Sequence, residues 1–547
     1  MSDWEQPADP GIDLRPIVKA NDVRGIAGEQ LTEEVARALG AAFADFLDED
    51  ALIIAHDMRV SSPALAAAFS AGAQRRGTTV GEAGLASTDQ LYCASGLHRA
   101  AGAMITASHN PARDNGLKLC LPGARPVSRD TGLDRIRRTA EGYLAAGEIP
   151  EVPGGGAKPL ETLTDYADTV VGLVPVPARR RLRVVVDAAS AMAGLTVPAV
   201  FERLEQIELV PLHFELDGTF PHHPADPLDP ANLADLQAAV RREGADLGLA
   251  FDGDADRCVV LDETGAPVRP SAITALIAQR EIARARAAGE ERPAVVANLV
   301  SSRHVTETVL AAGGRPLRSP VGHSLIKALM AEHGAVVGGE HSAHYYFRDF
   351  FHADSGMLAA LHVLAALADT DGSLSALVAG HDPYASSGEI NSRVTDVPAA
   401  LARVRAHAEG LPAARADDLD GLTLEHWDDS LPPEERWWIS LRPSNTEALL
   451  RLNVEAMTPQ TMARVRDEIL TLIRQETPMP PRADQAATPA PHSSGAQLPG
   501  WLRGIVRCPR CGGSLEDAEQ SLTCTGCGTR YAVEDGIPVL IAAFEQD

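Results

Sequence analysis

Lysine, aromatic side chains and long apolar runs are all scarce in this sequence of 547 residues. Only four of its 49 basic residues are lysines, aromatic residues make up 4%, and the formal net charge is −26. So large an acid excess excludes a general binder of nucleic acids or anionic membranes, although it leaves room for local basic pockets. No apolar run approaches the ~18 residues of a membrane span, and the polar, acidic N-terminus lacks a signal-peptide pattern. We therefore expect a cytoplasmic protein without nucleic-acid or membrane partners.

The composition that remains is typical of a globular protein with substantial cores. Apolar residues account for 45% and charged residues for 23% of the chain, and domains of about 100–200 residues predict roughly four of them. Short buried strands, each followed by small residues or a helical pattern, recur at spacings of roughly 110–130 residues, which favours three related α/β domains. These strands are Leu52–Ala55, Val184–Asp187 and Val295–Asn298. Beyond Gly380, strands at Trp437–Leu441 and Ala448–Val454 and a helix at Pro459–Ile473 predict a smaller α+β domain.

The predicted boundaries follow from these patterns and from one proline-rich stretch. Residues 476–500 lack periodicity and are interpreted as a linker. The predicted domains are 12–155, 156–265, 266–378 and 386–475, with a compact tail at 501–547.

The first chemical motif is Thr106–Pro111, followed by Asp114–Lys118. Ser108 follows the apolar stretch Ala103–Ile105, so it is expected on a loop at the end of a strand. Asn110-Pro111 and Asn115-Gly116 are both turn signals. A serine beside His109, with Lys118 nearby, could be an activated nucleophile or phosphate carrier, or only a capping serine in a polar turn.

The second motif places Asp252, Asp254 and Asp256 at every second position between two apolar runs. In an extended loop three such carboxylates can converge on one cation, and hard oxygen ligands suit Mg²⁺ or Ca²⁺. Position 6 of this loop is Arg257 rather than glycine and the flanks look like strands, so an EF-hand is rejected.

Two further motifs carry groups suited to sugars and phosphates. Gly338–His344 offers Glu340 and Ser342 as partners for hydroxyl groups, although a polar loop with satisfied histidines explains it equally well. Arg442–Glu447, with Arg451 beyond it, supplies two guanidiniums, two hydroxyls and an amide, a good cradle for a dianionic phosphate. The alternative is a hairpin turn with surface arginines.

Together these motifs resemble, in order and spacing, those of the α-D-phosphohexomutase family, in its bacterial phosphomannomutase/phosphoglucomutase branch. The resemblance covers residues 12–475 and implies three related mixed α/β domains and a smaller α+β fourth domain around a central cleft. It also implies transfer of phosphate between carbon 6 and carbon 1 of a hexose phosphate, with Mg²⁺ as cofactor and a hexose 1,6-bisphosphate as intermediate and activator.

The resemblance also implies roles for individual residues. Ser108 would be the phosphoserine, and its phosphate would bind Mg²⁺ with Asp252, Asp254 and Asp256. Arg24, His109, Lys118 and Arg257 would surround the transferring phosphate, and Lys118 or His109 would handle the proton of the sugar hydroxyl. The residues implied to bind substrate are His323, Lys327, Glu340, Ser342, His344, Arg442, Ser444, Asn445, Thr446 and Arg451.

Two departures from the family pattern concern the substrate. Asn21 stands where a tyrosine is expected, and the sugar loop reads Glu-His-Ser-Ala-His rather than Glu-Met-Ser-Gly-His. The loop keeps Glu340, Ser342 and His344, so we expect sugar binding to survive. The predicted activity is a phosphomannomutase that also accepts glucose phosphates. The alternatives are a phosphoglucosamine mutase and a non-catalytic sugar-phosphate sensor, although a sensor should have lost Ser108 or one of the aspartates.

The tail carries a zinc-ribbon pattern of two Cys-x-x-Cys pairs. Cys508 and Cys511 are followed after twelve residues by Cys524 and Cys527, with glycines in both turns; disulfides are the alternative. The stretch from Tyr531 to Ile541 resembles the small zinc-ribbon activators of methyltransferases, but the resemblance does not carry that role to this chain. The tail would therefore bind Zn²⁺ and serve a purely structural role, contact a protein partner, or mediate self-contact.

Overall fold

The computed structural model describes residues 12–48, 51–411, 413–443, 449–475, 507–511, 513–518, 521–534 and 537–538. The chain divides into two compact units, residues 1–476 and 477–547. The predicted linker at 476–500 lies outside the described residues. Within the described ranges, no helix combines the length and apolar character needed to cross a bilayer.

The first sheet has seven strands in the order β1-β5-β4-β2-β3-β7, with β6 beside β5. Strands β2, β3, β4 and β7 are parallel, while β5 runs antiparallel between β4 and β1. The elements are β1 (Val23–Ile26), α1 (Glu33–Phe46), β2 (Ala51–His56), α2 (Ser62–Arg75), β3 (Thr79–Leu85), α3 (Thr88–His98), β4 (Ala101–Ile105), β5 (Asp114–Leu121), β6 (Arg125–Pro126), α4 (Asp134–Ala146) and β7 (Gly156–Pro159).

Local sequence explains how the first helices form and pack. The Thr32 side chain caps α1 by accepting a hydrogen bond from the Val35 N–H, and two glutamates in the first turn complement the helix dipole. Helices α1 and α2 approach closely at Gly40, where a Cβ atom would lie 2.1 Å from the carbonyl oxygen of Phe69. Strand β4 is buried along its whole length, as expected for a central strand covered on both faces.

One turn prediction is wrong. Asn115 and Gly116 lie inside β5, paired with Gly25 and Arg24 of β1. Buried Asn115 donates hydrogen bonds to the hydroxyls of Ser61 and Ser62, and a Cβ on Gly116 would lie 2.2 Å from the Val23 carbonyl oxygen. Instead of forming a turn, Asn115 therefore provides side-chain hydrogen bonds, and Gly116 allows β1 and β5 to approach closely.

The second and third sheets repeat the pattern of parallel central strands with antiparallel strands at one side. Their orders are β12-β11-β10-β8-β9 and β14-β13-β15-β16-β17. The second region contains α5 (Leu163–Leu173), β8 (Leu182–Asp187), α6 (Ala193–Phe201), β9 (Ile207–Leu212), α7 (Ala234–Glu243), β10 (Leu247–Phe251), β11 (Cys258–Leu261) and β12 (Pro267–Val268). The third contains α8 (Pro270–Ala287), β13 (Ala294–Asn298), α9 (Arg303–Ala311), β14 (Arg315–Ser319), α10 (His323–His333), β15 (Val337–Gly339), β16 (Tyr345–Phe347), β17 (Ala353–Asp354), α11 (Gly356–Ala368) and α12 (Leu374–Ala379).

The fourth sheet is entirely antiparallel, with the order β18-β22-β21-β20-β19, and its apolar side packs on two helices. Its elements are β18 (Ala385–Arg393), α13 (Val397–Glu409), β19 (Arg415–Asp417), β20 (Leu422–His426), β21 (Trp437–Pro443), β22 (Leu449–Ala456) and α14 (Pro459–Arg474). Three mixed α/β regions and a smaller α+β region confirm the predicted fold class.

In the second unit, the described residues form a small antiparallel sheet. Its strands are β23 (Leu515–Ala518), β24 (Ser521–Cys524), β25 (Arg530–Glu534) and β26 (Ile537–Pro538). A minimal core of Cys508, Leu522, Cys524 and Tyr531 lies beneath it. So small a core stabilises a fold weakly, which favours a metal at the cysteines.

Candidate active site

Each of the first three sheets presents one predicted motif at an equivalent place. The motif loop connects a parallel strand to the antiparallel strand beside it: residues 106–113 between β4 and β5, 252–257 between β10 and β11, and 340–344 between β15 and β16. In the fourth sheet the corresponding hairpin joins β21 to β22, and the predicted residues Ser444, Asn445 and Thr446 lie outside the described residues. The same loop position is therefore used in each repeated region, but it carries different residues and so different chemistry.

Ser108 lies directly after β4 in a strained, buried conformation. Its φ is +50°, in the left-handed region that residues other than glycine adopt rarely, and it is 1% exposed. Its N–H donates to Thr106 Oγ1 at 2.9 Å, and its hydroxyl donates to Asp252 Oδ2 at 2.7 Å. His109 Nδ1 lies 3.3 Å from the same hydroxyl. Backbone strain held at a buried serine beside a carboxylate is typical of a functional position.

Arg59, which sequence reasoning missed, holds the serine loop in place. Its guanidinium is fully buried and donates to the carbonyl oxygens of Ser108 at 2.8 Å, Asn110 at 2.7 Å and Pro111 at 2.8 Å. Asp57 lies 3.3 Å from its Nε as counter-ion. The signal available in the sequence was a charged pair directly after the buried strand β2, where polar residues need a partner.

The three aspartates of the second motif converge as predicted. One oxygen of each lies within 4.8 Å of the others, and all three residues are buried. Thr88 Oγ1 donates to Asp254 Oδ2 at 2.5 Å. Burial, then the neighbouring carboxylates, raises the pKa of Asp252. Among the described residues, Asp254 Oδ1 and Asp256 Oδ1 are buried without a hydrogen-bond partner. Buried carboxylate oxygens that lack donors suit a hard cation.

Lys118 supplies the counter-charge of this cluster. It projects from β5, and its ammonium lies 2.7 Å from Asp254 Oδ2 and 2.5 Å from Asp256 Oδ2. Burial favours the neutral amine, but these two carboxylates outweigh it and raise the pKa of Lys118. Arg24 on β1, paired with Asp22 at 2.7 Å, contributes to the same positive environment.

Arg257 links all three loops. Its backbone N–H donates to Asp252 Oδ1 at 3.1 Å, and its guanidinium donates to His344 Nε2 at 3.2 Å and to His109 Nδ1 at 2.8 Å. Burial, then the charge of Arg257, lowers the pKa of His109 and of His344 to about 3. Both rings are therefore neutral, and in His109 the nitrogen that faces Arg257 carries the lone pair.

Glu340 of the third loop is 3% exposed and is oriented by groups that sequence reasoning missed. Tyr346 OH donates to Glu340 Oε2 at 2.7 Å, and Asn298 Nδ2 lies 3.4 Å from Oε1. Burial raises the pKa of Glu340. Ser342 Oγ lies 3.0 Å from His344 Nδ1, whose ring nitrogen lies 3.5 Å from Glu340 Oε2, so the three residues implied to bind sugar lie together.

Lys327 is the second buried lysine of the site. Its ammonium forms an ion pair with Asp354 at 2.6 Å and lies 4.4 Å from the centre of the Tyr92 ring, a cation–π contact. His323 is the first residue of α10, and its side chain lies outside the described residues.

Arg442 and Arg451 lie directly opposite each other on β21 and β22. Both contact Glu389, Arg442 at 3.8 Å and Arg451 at 3.0 Å, and Arg442 also lies 3.3 Å from Asp420. Adjacent like charges on one face of a sheet repel each other unless an anion lies between them. In this arrangement Glu389 occupies that role.

A cavity of about 370 Å³ connects the first three loops. Asn21, at the position where a tyrosine was expected, lines it with Lys19. The other lining residues include Arg24, Tyr92, Ser108, His109, Asn110, Lys118, Asp256, Arg257, His344 and Asp354. The cavity thus places the candidate nucleophile beside both positive charge and metal-ligating carboxylates.

The four tail cysteines form a separate group in the second unit. One sulfur of each lies within 4.8 Å of the others. The Cys508–Cys527 and Cys511–Cys524 sulfur distances are 3.6 Å and 3.4 Å, and all four are free thiols. These separations exceed a disulfide bond and suit sulfurs that share one ion. The disulfide alternative is therefore wrong.

Family models match most of the chain. Those described as phosphoglucomutase/phosphomannomutase alpha/beta/alpha domains I, II and III match residues 15–145, 164–265 and 269–384. The model described as the phosphoglucomutase/phosphomannomutase C-terminal domain matches 389–472. A model of Trm112p-like proteins matches 504–536, within the tail.

Similar proteins cover most of the chain. A protein of Xanthomonas campestris called "Phosphohexose mutases" is 39% identical over 84% of this chain and 99% of its own length. A phosphomannomutase of Salmonella typhimurium is 38% identical over 84% of this chain and 98% of its own. A crystal structure of a phosphoglucomutase/phosphomannomutase family protein from Burkholderia thailandensis matches with a TM-score of 0.74 at 29% identity, covering 84% of this chain and 96% of that one.

Proposed function

The chain belongs to the phosphoglucomutase/phosphomannomutase family, and we propose that it interconverts mannose 6-phosphate and mannose 1-phosphate, with glucose phosphates as further substrates. The phosphate passes through Ser108 and a hexose 1,6-bisphosphate. The observation that carries this proposal is the Ser108 hydroxyl, 2.7 Å from Asp252 within a group of three converging carboxylates.

The cluster of three aspartate carboxylates fits Mg²⁺. Asp252, Asp254 and Asp256 offer hard oxygen ligands, and the buried Oδ1 atoms of Asp254 and Asp256 lack a hydrogen-bond partner among the described residues. These three residues would hold the ion together with a phosphate oxygen on Ser108. When bound, Mg²⁺ neutralises charge on the phosphoserine.

The transfer itself conserves the phosphoryl group. A hydroxyl oxygen on carbon 1 or carbon 6 of the sugar attacks the phosphorus of phosphoserine 108, and the bond from phosphorus to Ser108 Oγ breaks. The proton lost by the sugar hydroxyl ends on Ser108 Oγ, the leaving oxygen. The bisphosphate then turns in the cleft and returns its other phosphate to Ser108. Arg24, His109, Lys118 and Arg257 stabilise the transferring group by positioning and charge.

Lys118 and His109 are the candidates for the proton. The lone pair on His109 Nδ1 already accepts from Arg257 at 2.8 Å, so this ring offers the cleft its Nε2–H. Lys118 is tied to two carboxylates that hold its positive charge. Neither group is therefore free to accept the proton, and we assign Lys118 to charge neutralisation beside the nucleophile and His109 to a hydrogen bond on the phosphoryl group.

The sugar and its distal phosphate lie toward the third and fourth loops. Glu340 accepts hydrogen bonds from sugar hydroxyls and Ser342 donates to them. His344, Lys327 and His323 are proposed to surround the sugar. Arg442 and Arg451 grip the phosphate that is not transferred, together with Ser444, Asn445 and Thr446. The directly opposed pairing of the two arginines supports a site for a dianion.

The remaining proposals concern the setting of the reaction. All seven cysteines are free thiols, which supports work in the reducing cytoplasm. Cys508, Cys511, Cys524 and Cys527 bind Zn²⁺ and fold the ribbon, whose role is structural or a contact with another chain. Freshly purified, reduced protein without zinc would overturn the ribbon proposal.

A coupled assay tests the mutase. Enzyme with Mg²⁺ and a catalytic amount of the matching 1,6-bisphosphate is given mannose 1-phosphate, glucose 1-phosphate or glucosamine 1-phosphate. We expect turnover of the first, and less turnover of the second. Preference for glucosamine 1-phosphate would replace the proposal with a phosphoglucosamine mutase, and no turnover of any substrate would refute it.

A further inference from the structure

A second group of metal-ligating side chains shares no residue with the proposed magnesium or zinc sites. Asp187 ends β8, His213 directly follows β9, and His223 lies in the loop before α7. One ligand atom from each lies within 4.8 Å of the others. The side chains of Asp187, His213 and His223 are only 1%, 11% and 14% exposed, so water satisfies them poorly.

The hydrogen bonds of His223 place two hydrogen-bond acceptors, its own Nε2 and Asp187 Oδ2, opposite each other. Its Nδ1 lies 2.9 Å from the Pro224 carbonyl oxygen, which only accepts, so Nδ1 carries a proton. In the neutral ring Nε2 then presents a lone pair, 3.0 Å from Asp187 Oδ2. Two lone pairs at this distance need a shared cation, either a proton on His223 or a metal ion.

His213 distinguishes these two cations. Its Nε2 is buried and has no hydrogen-bond partner among the described residues, although Asp235 Oδ2 lies 3.4 Å away. A proton on His223 would satisfy Asp187 and leave this nitrogen unpaired. One divalent ion would satisfy Asp187 and His223 and also bind a ring nitrogen of His213, since one ligand atom of each residue lies within 4.8 Å of the others. His222, stacked on His213 with ring centres 3.9 Å apart, fixes the plane of the ring.

The backbone also holds the ligands in place. Asp187 Oδ1 accepts the Ala189 N–H at 2.9 Å, which aims Oδ2 at the histidines. Ala189, Ser190 and His213 all have φ between +50° and +55°, and the Ser190 N–H donates to the His213 carbonyl oxygen at 2.8 Å. Strain at three neighbouring positions persists only where the surroundings fix it, as they do at ligand sites.

We propose that Asp187, His213 and His223 bind a divalent transition-metal ion of the Zn²⁺ type. Two imidazoles and one carboxylate favour zinc or its neighbours over Mg²⁺, which prefers oxygen ligands alone. The Pro224 carbonyl, bonded to the far nitrogen of His223, is the kind of outer partner that ligating histidines have.

The ion would stabilise the loop that supports the serine. Phe220, three residues before His223, lies with its ring centre 5.1 Å from the Arg59 guanidinium carbon. Arg59 in turn donates to the Ser108 carbonyl oxygen. A metal at His223 therefore ties the end of β8 to the loop packed behind Ser108.

Zinc stoichiometry of the full chain tests the site. Chelator-treated, reduced protein is loaded with Zn²⁺ in excess Mg²⁺, desalted and analysed for bound zinc. We expect two zinc ions per chain, one of them at the cysteines, and one ion in His213→Ala. His407→Gln removes a surface histidine that is also paired with a carboxylate, Glu468 at 3.2 Å, and should retain two. One ion in the unaltered chain, or two in His213→Ala, would overturn the proposal.

Thermal stability gives a second readout if His213→Ala folds poorly. Because an ion that binds only the folded state raises Tm, Zn²⁺ should raise the Tm of Cys511→Ser/Cys527→Ser, whose ribbon ligands are disabled. His223→Gln in that background should weaken the zinc affinity at least about 100-fold and abolish the shift, whereas His407→Gln should leave it intact. An unchanged shift in His223→Gln contradicts the assignment.

Discussion

The two ends of the cleft carry opposite charges and balance them in the same way. At the serine end, Lys118 partly offsets the charges of Asp254 and Asp256. At the end where the second phosphate is proposed to bind (the phosphate end), Glu389 lies beside both Arg442 and Arg451, and Asp420 lies beside Arg442. In the first group Lys118 is 14% exposed and the aspartates are buried, whereas in the second Arg442 is 11% exposed but Arg451 is 36% exposed.

This difference indicates how each end meets its ligand. A buried, hydrogen-bonded cluster holds one geometry and suits chemistry that depends on positioning. A partly exposed ion pair is worth little and exchanges partners easily, so an incoming phosphate can displace Glu389. If the proposed function holds, the serine end would position the phosphate that is transferred, and the phosphate end would capture and release the other phosphate repeatedly.

Removal of the serine hydroxyl should have the largest effect. Ser108→Ala deletes the phosphate carrier, so we expect kcat/KM to fall at least about 10³-fold, with no label transferred from ³²P-labelled hexose 1,6-bisphosphate. Ser70→Ala, which alters another buried serine of the first sheet region, should keep full activity. Appreciable turnover by Ser108→Ala would remove Ser108 from its role.

Removal of the ammonium should have the next largest effect. Lys118→Met keeps the length of the side chain but leaves Asp254 and Asp256 without their counter-charge, and we expect kcat to fall about 100-fold. Lys158→Met, at an exposed lysine, is the matched control. A fall in Lys118→Met confined to KM would assign this lysine to substrate binding instead.

The four lysines also illustrate what the sequence could reveal. Lys118 and Lys327, which lie inside motifs, are half-buried and buried respectively and are paired with carboxylates, whereas Lys19 and Lys158 are exposed. Strand and helix patterns, with the order of the motifs, were enough to predict the fold class, and the spacing of the aspartates predicted their convergence. Runs of only a few consecutive residues determine these features.

Long-range partners could not be predicted in the same way. Arg59 and Glu389 act through contacts that depend on strand pairing and on loops more than 40 residues apart, such as Arg59 with Ser108. The prediction of a turn at Asn115 was wrong for the same reason, because its hydrogen-bond partners, Ser61 and Ser62, lie at the distant start of α2. Nothing in a local pattern specifies which buried donor meets which acceptor.

Loss of the counter-ion at the phosphate end should help binding rather than harm it. Glu389→Gln removes the negative charge that competes with substrate phosphate for Arg442 and Arg451. Because a partly exposed pair is worth about 0.5–1 kcal/mol, we expect KM to fall about 2–5-fold with little change in kcat. Glu409→Gln, on the surface of α13, should leave KM unchanged. A rise in KM would show that Glu389 orients the arginines instead.

A smaller, pH-dependent effect should come from the buried carboxyl that joins three sheet regions. Asp89 on α3 accepts hydrogen bonds from Tyr166 OH and Ser355 Oγ, both at 2.7 Å. Burial outweighs these hydrogen bonds and raises the pKa of Asp89 from 3.8 to about 7. The unfolded chain therefore binds fewer protons in this window, and this carboxyl makes the fold less stable as pH rises through it.

Asp89→Asn removes that titration. The stability of the variant relative to the unaltered protein should improve by about 1–3 kcal/mol as pH rises from about 4 to 7, measured by urea unfolding at each pH. Asp168→Asn, at a side chain that is 64% exposed, should show no such trend. A difference independent of pH would mean that Asp89 is already ionised across the range.

The smallest effect concerns the backbone of the aspartate loop. Ala255 has φ +61°, a conformation that glycine adopts without strain, so Ala255→Gly relieves about 1 kcal/mol in the fold but adds freedom to the unfolded chain. We expect the free energy of unfolding to rise by no more than about 0.5 kcal/mol. Ala250→Gly, within buried β10, should destabilise instead. If Ala255→Gly also lowers kcat, the strained alanine helps to hold the three carboxylates in place. The greater rigidity of the serine end, compared with the phosphate end, would then depend in part on Ala255.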